Sequence, residues 1–347
     1  MDALATLHAV TEKHSLNGVI AEALAEASTL LGGGLEALER RLLSATAGAP
    51  EDVSASCRHV LEAGGKRIRP AICLLAFRAA HGAPDALPIE LAAACELLHN
   101  ATLLHDDVID EGDVRRGRPA VRVVYGNAIS ILSGDYLLMR CVETVAASGP
   151  GQMPVFVDTL RRLVEGEVTQ LALRGSLATT REQYFRIVEG KTASLFRFAA
   201  SSGALAANGD ETLCAALGEF GWHVGVAFQM IDDILDFAAE PHLFGKSVHA
   251  DVREGKMTLP LITAVGRSAA LKDALGRLVA DAIPANADLA QRISDEVRAL
   301  GAVEETLREA AGHTEQAVAA LRSARGADPA VVRLLCAVAE ALQSREA

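Results

Sequence analysis

Aromatic side chains are scarce in this chain, at 4% of 347 residues with a single Trp and three Tyr. Strands draw on Tyr, Phe, Trp and β-branched residues, and no alternating run bounded by hairpin turns stands out, which argues against a sheet-based fold. Cysteine is sparse as well. The six, Cys57, Cys73, Cys95, Cys141, Cys214 and Cys336, are scattered without a C-x-x-C pair. They read as buried thiols in a reducing compartment. Positive charge is in deficit, with a formal net charge of −12. A polyphosphate backbone is drawn to broad basic surfaces, so nucleic-acid binding is a poor expectation. No apolar run is long enough to span a bilayer, and no basic region precedes an apolar run at the N-terminus; a cytoplasmic protein with no transmembrane segment is expected. There is also no G-x-S-x-G elbow, no Walker loop, no H-E-x-x-H pair and no nucleophile beside a base.

What is present is hydrophobic, 50% of residues, and rich in Ala and Leu. That composition favours helices, and an all-α fold is the expectation. An amphipathic stretch runs to Gly32-Gly33-Gly34, followed by a helix from Leu35 to about Ser44 and another from near Glu51 to Gly64-Gly65. Pro70 opens the next helical segment, and from Ile89 the helical pattern continues to Asp110. Further helices are expected at about 127–147, 154–173, 181–207, 211–239, 256–281, 286–299, 303–325 and 329–344. No repeat or low-complexity linker divides the chain. Residues 1–45 read as an N-terminal helical arm and 46–347 as one continuous helical domain.

The informative feature is an acidic cluster that occurs twice: Asp106-Asp107-Val108-Ile109-Asp110 and Asp232-Asp233-Ile234-Leu235-Asp236. On a helix, Asp at i, i+1 and i+4 puts carboxylates on one face within a turn. Flanked by Leu103, Leu104, Met230 and Ile231, they cannot all stay ionised in a half-buried groove without cations. A solvated acidic face is the ordinary alternative for one such cluster; two matching clusters argue against it. Oxygen-only ligation suits a hard ion, and Mg²⁺ bridges carboxylates to substrate phosphates.

Two local basic segments complement the clusters. Gly64-Gly65-Lys66-Arg67-Ile68-Arg69-Pro70 places three cations behind two glycines, a pattern suited to phosphate oxygens. Ordinary surface basics after a helix C-cap are the alternative. Arg115-Arg116-Gly117 follows the first acidic cluster closely, and salt bridges to Glu111 or Asp113 are its alternative. Aspartates and arginines packed so near each other imply an anionic ligand bridged by metal, and a diphosphate fits. Lys191, Thr192, Lys246 and Lys256 are weaker signals, since a helical Lys is usually solvated. Gln229 lies one turn before Asp233, and His99 two turns before Asp106, where a satisfied core histidine is an equal reading. Metal-assisted departure of a phosphate leaving group is the chemistry that remains.

These motifs resemble those of the trans-isoprenyl diphosphate (polyprenyl) synthases. The resemblance rests on both Asp-Asp-x-x-Asp motifs, Arg115-Arg116-Gly117, Gly64 to Pro70, Gly134-Asp135, Gly190-Lys191-Thr192, Phe228 to Asp233, and Gly245-Lys246 through Gly255-Lys256-Met257-Thr258-Leu259-Pro260. It covers most of residues 55 to 265. It implies a single-domain helical bundle around a deep central cavity, of the isoprenoid synthase type, as a homodimer. The same resemblance implies Mg²⁺, three ions with substrate bound, ligated by Asp106, Asp110 and Asp232 with Asp107, Asp233 and Asp236 in support. Arg115, Lys191, Thr192, Gln229, Lys246 and Lys256 would grip an allylic diphosphate, and Lys66, Arg69, His99 and Arg116 isopentenyl diphosphate. Glu167 and Gln170 look similar to a stretch that faces the metals. His249 departs from the pattern, where glycine is common.

Product length follows from the helix bearing the first cluster, each turn of which adds about 5.4 Å of depth. One turn below the metal ligands stand Ala101 and Thr102, both small, with Leu98 next. Short-chain members that resemble this sequence carry an aromatic plug at that level. An all-trans product longer than C15 is therefore expected, with about C40 favoured over C20. The alternatives are a geranylgeranyl diphosphate synthase, a class I terpene cyclase and a non-catalytic synthase subunit. A cyclase would replace the second aspartate motif and would not need Lys66 to Arg69; a non-catalytic subunit tends to lose acidic motifs.

Overall fold

The computed structural model describes residues 18–83, 86, 88–237, 255–280 and 287–344. Fifteen helices follow one another among them, interrupted by one short hairpin. They are α1 (Gly18–Ser44), α2 (Glu51–Glu62), α3 (Ile68–Ala79), α4 (Ile89–Ile109), α5 (Val121–Tyr125), α6 (Asn127–Ala147), α7 (Gln152–Leu173) and α8 (Arg181–Val188). A π-helical turn, Glu189–Ala193, joins α8 to α9 (Ser194–Ala206). Then come α10 (Glu211–Leu235), α11 (Leu259–Val265), α12 (Ala269–Ala280), α13 (Ala287–Ala299), α14 (Ala302–Ser323) and α15 (Pro329–Gln343).

Local chemistry explains several of the boundaries. Thr180 and Gln183 form a reciprocal capping box at the start of α8. Asp210 accepts from Leu213 N at 2.8 Å, and Asp328, followed by Pro329, caps α15. The helix expected over 256–281 is two, because Ser268 Oγ accepts from Leu271 N at 3.1 Å and starts α12 afresh. A second difference lies at the three glycines. Helix α1 runs unbroken through Gly32-Gly33-Gly34, where the sequence pattern suggested a stop. Glycine costs a helix interior roughly 1 kcal/mol per residue relative to Ala. Burial of Leu24, Leu31, Leu35, Leu38 and Leu42 along one face outweighs that. From Gly18 on, the segment expected to be an arm is packed against α15 and α4, and its leucines join the main core.

Around that core α4 lies along α6, α3 along α9, α9 along α10, and α10 along α14. Phe156 of α7 and Phe198 of α9 meet edge to face, with centroids 5.7 Å apart, deep in the bundle. A smaller apolar cluster under α11 to α14 includes Leu261, Leu271, Leu275 and Val297. The two acidic motifs fall at the C-terminal ends of α4 and α10, so the bundle delivers both to one end.

Candidate active site

The first motif is sorted by burial. Asp107 is 1% exposed, and its Oδ1 accepts from Arg115 Nε at 2.9 Å and Nη2 at 2.6 Å. Asp106 and Asp110 face outward instead: Asp106 Oδ2 is 3.8 Å from Lys191 Nζ, and Asp110 Oδ2 is 2.8 Å from Lys256 Nζ. Lys191 is also paired with Glu167. Burial pushes the Asp106 carboxyl up to about 6; Glu167 and Asp110 push the same way, while Lys191 and Lys256 pull down.

In the second motif two of the three carboxylates are buried. Asp233 is buried, accepting from Tyr184 Oη at 2.7 Å and from Gln229 Nε2 at 2.8 Å. Asp236 is buried at the end of α10, while Asp232 is half-buried. Thr192 Oγ1 donates to Gln229 Oε1 at 2.8 Å. Adjacent residues thus tie the two motifs together, Lys191 reaching α4 and Thr192 reaching α10.

That junction depends on a tight crossing. A Cβ on Gly190 would stand 2.6 Å from Arg162 O and 2.9 Å from Gly166 Cα, so only glycine lets the π-helical turn lie against α7. A π turn inserts an extra residue and commonly marks a functional position. Here it aims Lys191 at Glu167 and Asp106.

Around His99, two turns before Asp106 on α4, basic side chains gather. Strands β1 (Val114–Arg115) and β2 (Arg118–Pro119) form a hairpin whose two central residues, Arg116 and Gly117, have φ of 52° and 73°. Such a turn needs positive φ at both positions. It turns Arg115 back to Asp107 and sends Arg116 to Gly64 O, with Arg116 Nη2 3.9 Å from Glu96. Arg67 is held in the left-handed region, φ 46°, where it caps α3 and donates to Glu96 Oε1 at 2.6 Å and Glu39 Oε1 at 2.7 Å. Arg69 lies 4.7 Å over the Phe196 ring, and its buried Nε has no hydrogen-bond partner among the described residues. Burial lowers Arg69 to about 10. Burial, followed by the charges of Arg69, Arg116, Arg115 and Arg67, drives His99 well below its usual value. A neutral imidazole ringed by guanidinium groups is a seat prepared for an anion.

The sequence-derived candidates therefore divide by what occupies them. Arg115, Thr192 and Gln229 direct their polar groups to protein partners, whereas Lys191 and Lys256 stand on the outward carboxylates. Lys66 is exposed at the rim. On α4, Thr102 shares the partly open face with His99 and Asp106, while Ala101 and Leu98 are packed in the core at 2% and 1% exposure. Lys246 and His249 lie outside the described residues. Three contributors escaped the sequence reading: Glu96, Asn100, whose Oδ1 is 3.4 Å from Arg116 Nη1, and Tyr184. A lone Glu inside the apolar run of α4 was a readable signal for the first; Tyr184 offered none.

Among the described residues no three His, Cys, Asp or Glu side chains close on one metal position. The outward donors Asp106, Asp110 and Asp232 are all carboxylates, a set suited to a hard divalent ion that shares its shell with ligand oxygens.

A family pattern, the polyprenyl synthetases, matches residues 50–296. Octaprenyl diphosphate synthase of Escherichia coli (strain K12) is 36% identical over 267 residues, 76% of this chain and 81% of that protein. A short chain isoprenyl diphosphate synthase from Methanothermobacter thermautotrophicus is 38% identical over 225 residues, 63% of this chain and 69% of that one. Among solved structures, a polyprenyl synthase from Caulobacter crescentus CB15 complexed with calcium and isoprenyl diphosphate superposes with a TM-score of 0.86 at 33% identity, covering 92% and 97% of the two chains. The chain belongs to the polyprenyl synthetase family, a trans-polyprenyl diphosphate synthase on the isoprenoid synthase fold.

Proposed function

We propose that the enzyme condenses isopentenyl diphosphate with an allylic diphosphate, using Mg²⁺, to build an all-trans chain longer than C15. One observation carries this reading: the outward Asp106 is linked through Lys191 and its neighbour Thr192 to the second aspartate motif, beside a basic cluster in which Arg69 Nε has no hydrogen-bond partner among the described residues. Asp106, Asp110 and Asp232 would hold Mg²⁺, three ions with substrate bound, which would supply electrostatic stabilisation to charge on the leaving diphosphate. Lys191, Lys256 and, from the resemblance, Lys246 donate to oxygens of the same diphosphate. Arg69, Arg116, His99 and Lys66 hold isopentenyl diphosphate with its double bond toward the allylic carbon. The allylic C–O bond breaks with its electron pair leaving on diphosphate, the double bond supplies the pair for the new C–C bond, and the released diphosphate takes the proton. Phe196 and Phe228, which touch each other beneath the Arg69 guanidinium, would supply apolar surface that keeps water from the cation. Asp107 and Asp233, each locked by its own partners, orient the outward carboxylates.

The test is product formation by the purified chain from isopentenyl diphosphate with farnesyl or geranylgeranyl diphosphate and Mg²⁺. Asp106→Ala should lose roughly 10³-fold in rate, several kcal/mol of barrier. Near-normal turnover would refute the assignment. For product length, about C40 remains favoured over C20 because Ala101 and Thr102 leave no aromatic plug one turn below Asp106. Ala101→Phe and Thr102→Phe should each shorten the product by mass spectrometry, and an unchanged profile for both would sink this view of the chain-length path. A homodimer is supported by exposed Ile131, Leu132 and Met139 on α6 and Val157, Val164, Val168 and Leu171 on α7; sedimentation equilibrium should return twice the chain mass. Among the described residues no helix is long and apolar enough to cross a membrane, and the cytoplasm is the proposed location, supported by the six unpaired thiols.

A further inference from the structure

The two lysines that stand on the first motif have a role beyond gripping substrate. Lys256 Nζ lies 2.8 Å from Asp110 Oδ2; Lys191 Nζ lies 3.8 Å from Asp106 Oδ2 and is also paired with Glu167. These are the oxygens an incoming divalent cation needs. Among the described residues these carboxylates already have cationic partners. Arg115 answers Asp107, and Arg174 Nη1, 3.7 Å from Asp110, joins Lys191 and Lys256 against Asp106, Asp110 and Glu167.

A cation arriving alone meets ammonium groups in its seat, and a diphosphate arriving alone meets ionised carboxylates. Arriving together, each removes the obstacle to the other: the lysines turn to phosphate oxygens and the carboxylates turn to the metal. We propose that Lys191 and Lys256 are internal counter-ions that hold Asp106 and Asp110 until a diphosphate draws them away, coupling metal and diphosphate binding through these two side chains. This rests on the reading of the site as a metal-diphosphate centre.

The anchoring suits a swing of the side chain rather than a movement of backbone. Gly175 N donates to Gly255 O at 2.9 Å, which pins the chain one residue before Lys256. The Gly166–Gly190 crossing pins Lys191 in the same way. Each amine keeps a flexible four-carbon stem. Linkage then requires reciprocity, with metal tightening diphosphate by the factor that diphosphate tightens metal.

Mn²⁺ binding followed by electron paramagnetic resonance and calorimetry tests the exchange, with inorganic pyrophosphate as the probe and protein-free titrations subtracted. In the wild type, pyrophosphate should tighten Mn²⁺ by about tenfold or more. Lys256→Gln and Lys191→Gln, each checked for a native thermal melt, should bind Mn²⁺ alone about threefold or more tighter than the wild type and lose most of the coupling. Variants that bind Mn²⁺ alone no tighter than wild type, undiminished coupling in both, or no Mn²⁺ binding in any form would overturn the proposal. The synthase assay separates this from the function itself: product formation without the tightening sinks only the counter-ion exchange, and tightening without product sinks only the proposed reaction.

Discussion

Replacing Glu96 with Gln probes the charge beneath the basic cluster, and the structure predicts effects of opposite sign on stability and on anion affinity. Glu96 is 2% exposed and accepts from Arg67 Nη1 at 2.6 Å and Asn100 Nδ2 at 3.2 Å, with Arg116 Nη2 3.9 Å away. Gln preserves the volume but removes the charge and adds donors facing donors. Removing one partner of a buried ion pair costs about 3–5 kcal/mol. Glu39 still holds Arg67, which favours the lower end. At about 1.4 °C per kcal/mol for a chain of 347 residues, the melting temperature should fall by roughly 4 °C. Anion binding moves the other way. An anion seated on the far side of Arg116 lies about 8 Å from Glu96, where removal of a unit charge at an effective dielectric near 20 is worth at most about 2 kcal/mol. Solvent screening reduces that to roughly a fivefold gain in affinity. Scanning fluorimetry with and without inorganic pyrophosphate reads both effects, and calorimetry checks the affinity. A wild-type melting temperature would refute Glu96 as the buried counter-charge, and weaker pyrophosphate binding would refute its opposition to the anion.

Two further outcomes follow from the geometry of the site. Gly190→Ala places a methyl 2.6 Å from Arg162 O, so stability should fall by about 1–3 kcal/mol and turnover by up to roughly 10²-fold as Lys191 shifts; wild-type values of both would show that the crossing is not tight. His99 is held below its unfolded pKa, so the unfolded chain binds the extra proton: stability is full above about pH 6.5 and declines as the pH falls from there toward the folded value. His99→Gln should flatten that decline in melting temperature, and parallel curves would count against it.

Much of the architecture could be read from the residues. The helices over 127–147 and 329–343 fall where apolar periodicity, Pro329 and the turn residues predict, because those signals are local. The same local logic failed at Gly32-Gly33-Gly34, where leucines from distant turns share a core that no short window reveals. It failed again at Glu189–Ala193, since a π turn arises from the approach of α7 to Gly190 rather than from a propensity of its own.

The chemistry was decided at two levels. The order of residues settled that two helices would each carry three aspartates within a turn and that arginines would follow the first, because helical spacing alone puts such groups on one face. Which carboxylates look outward, which cations lock them and which buried Glu balances the arginines depended on contacts between helices remote in sequence. Asp107 and Asp106 are neighbours with the same side chain, yet one is sealed against Arg115 and the other stands under Lys191. Burial and partnership belong to the packed bundle, and only the fold assigns them.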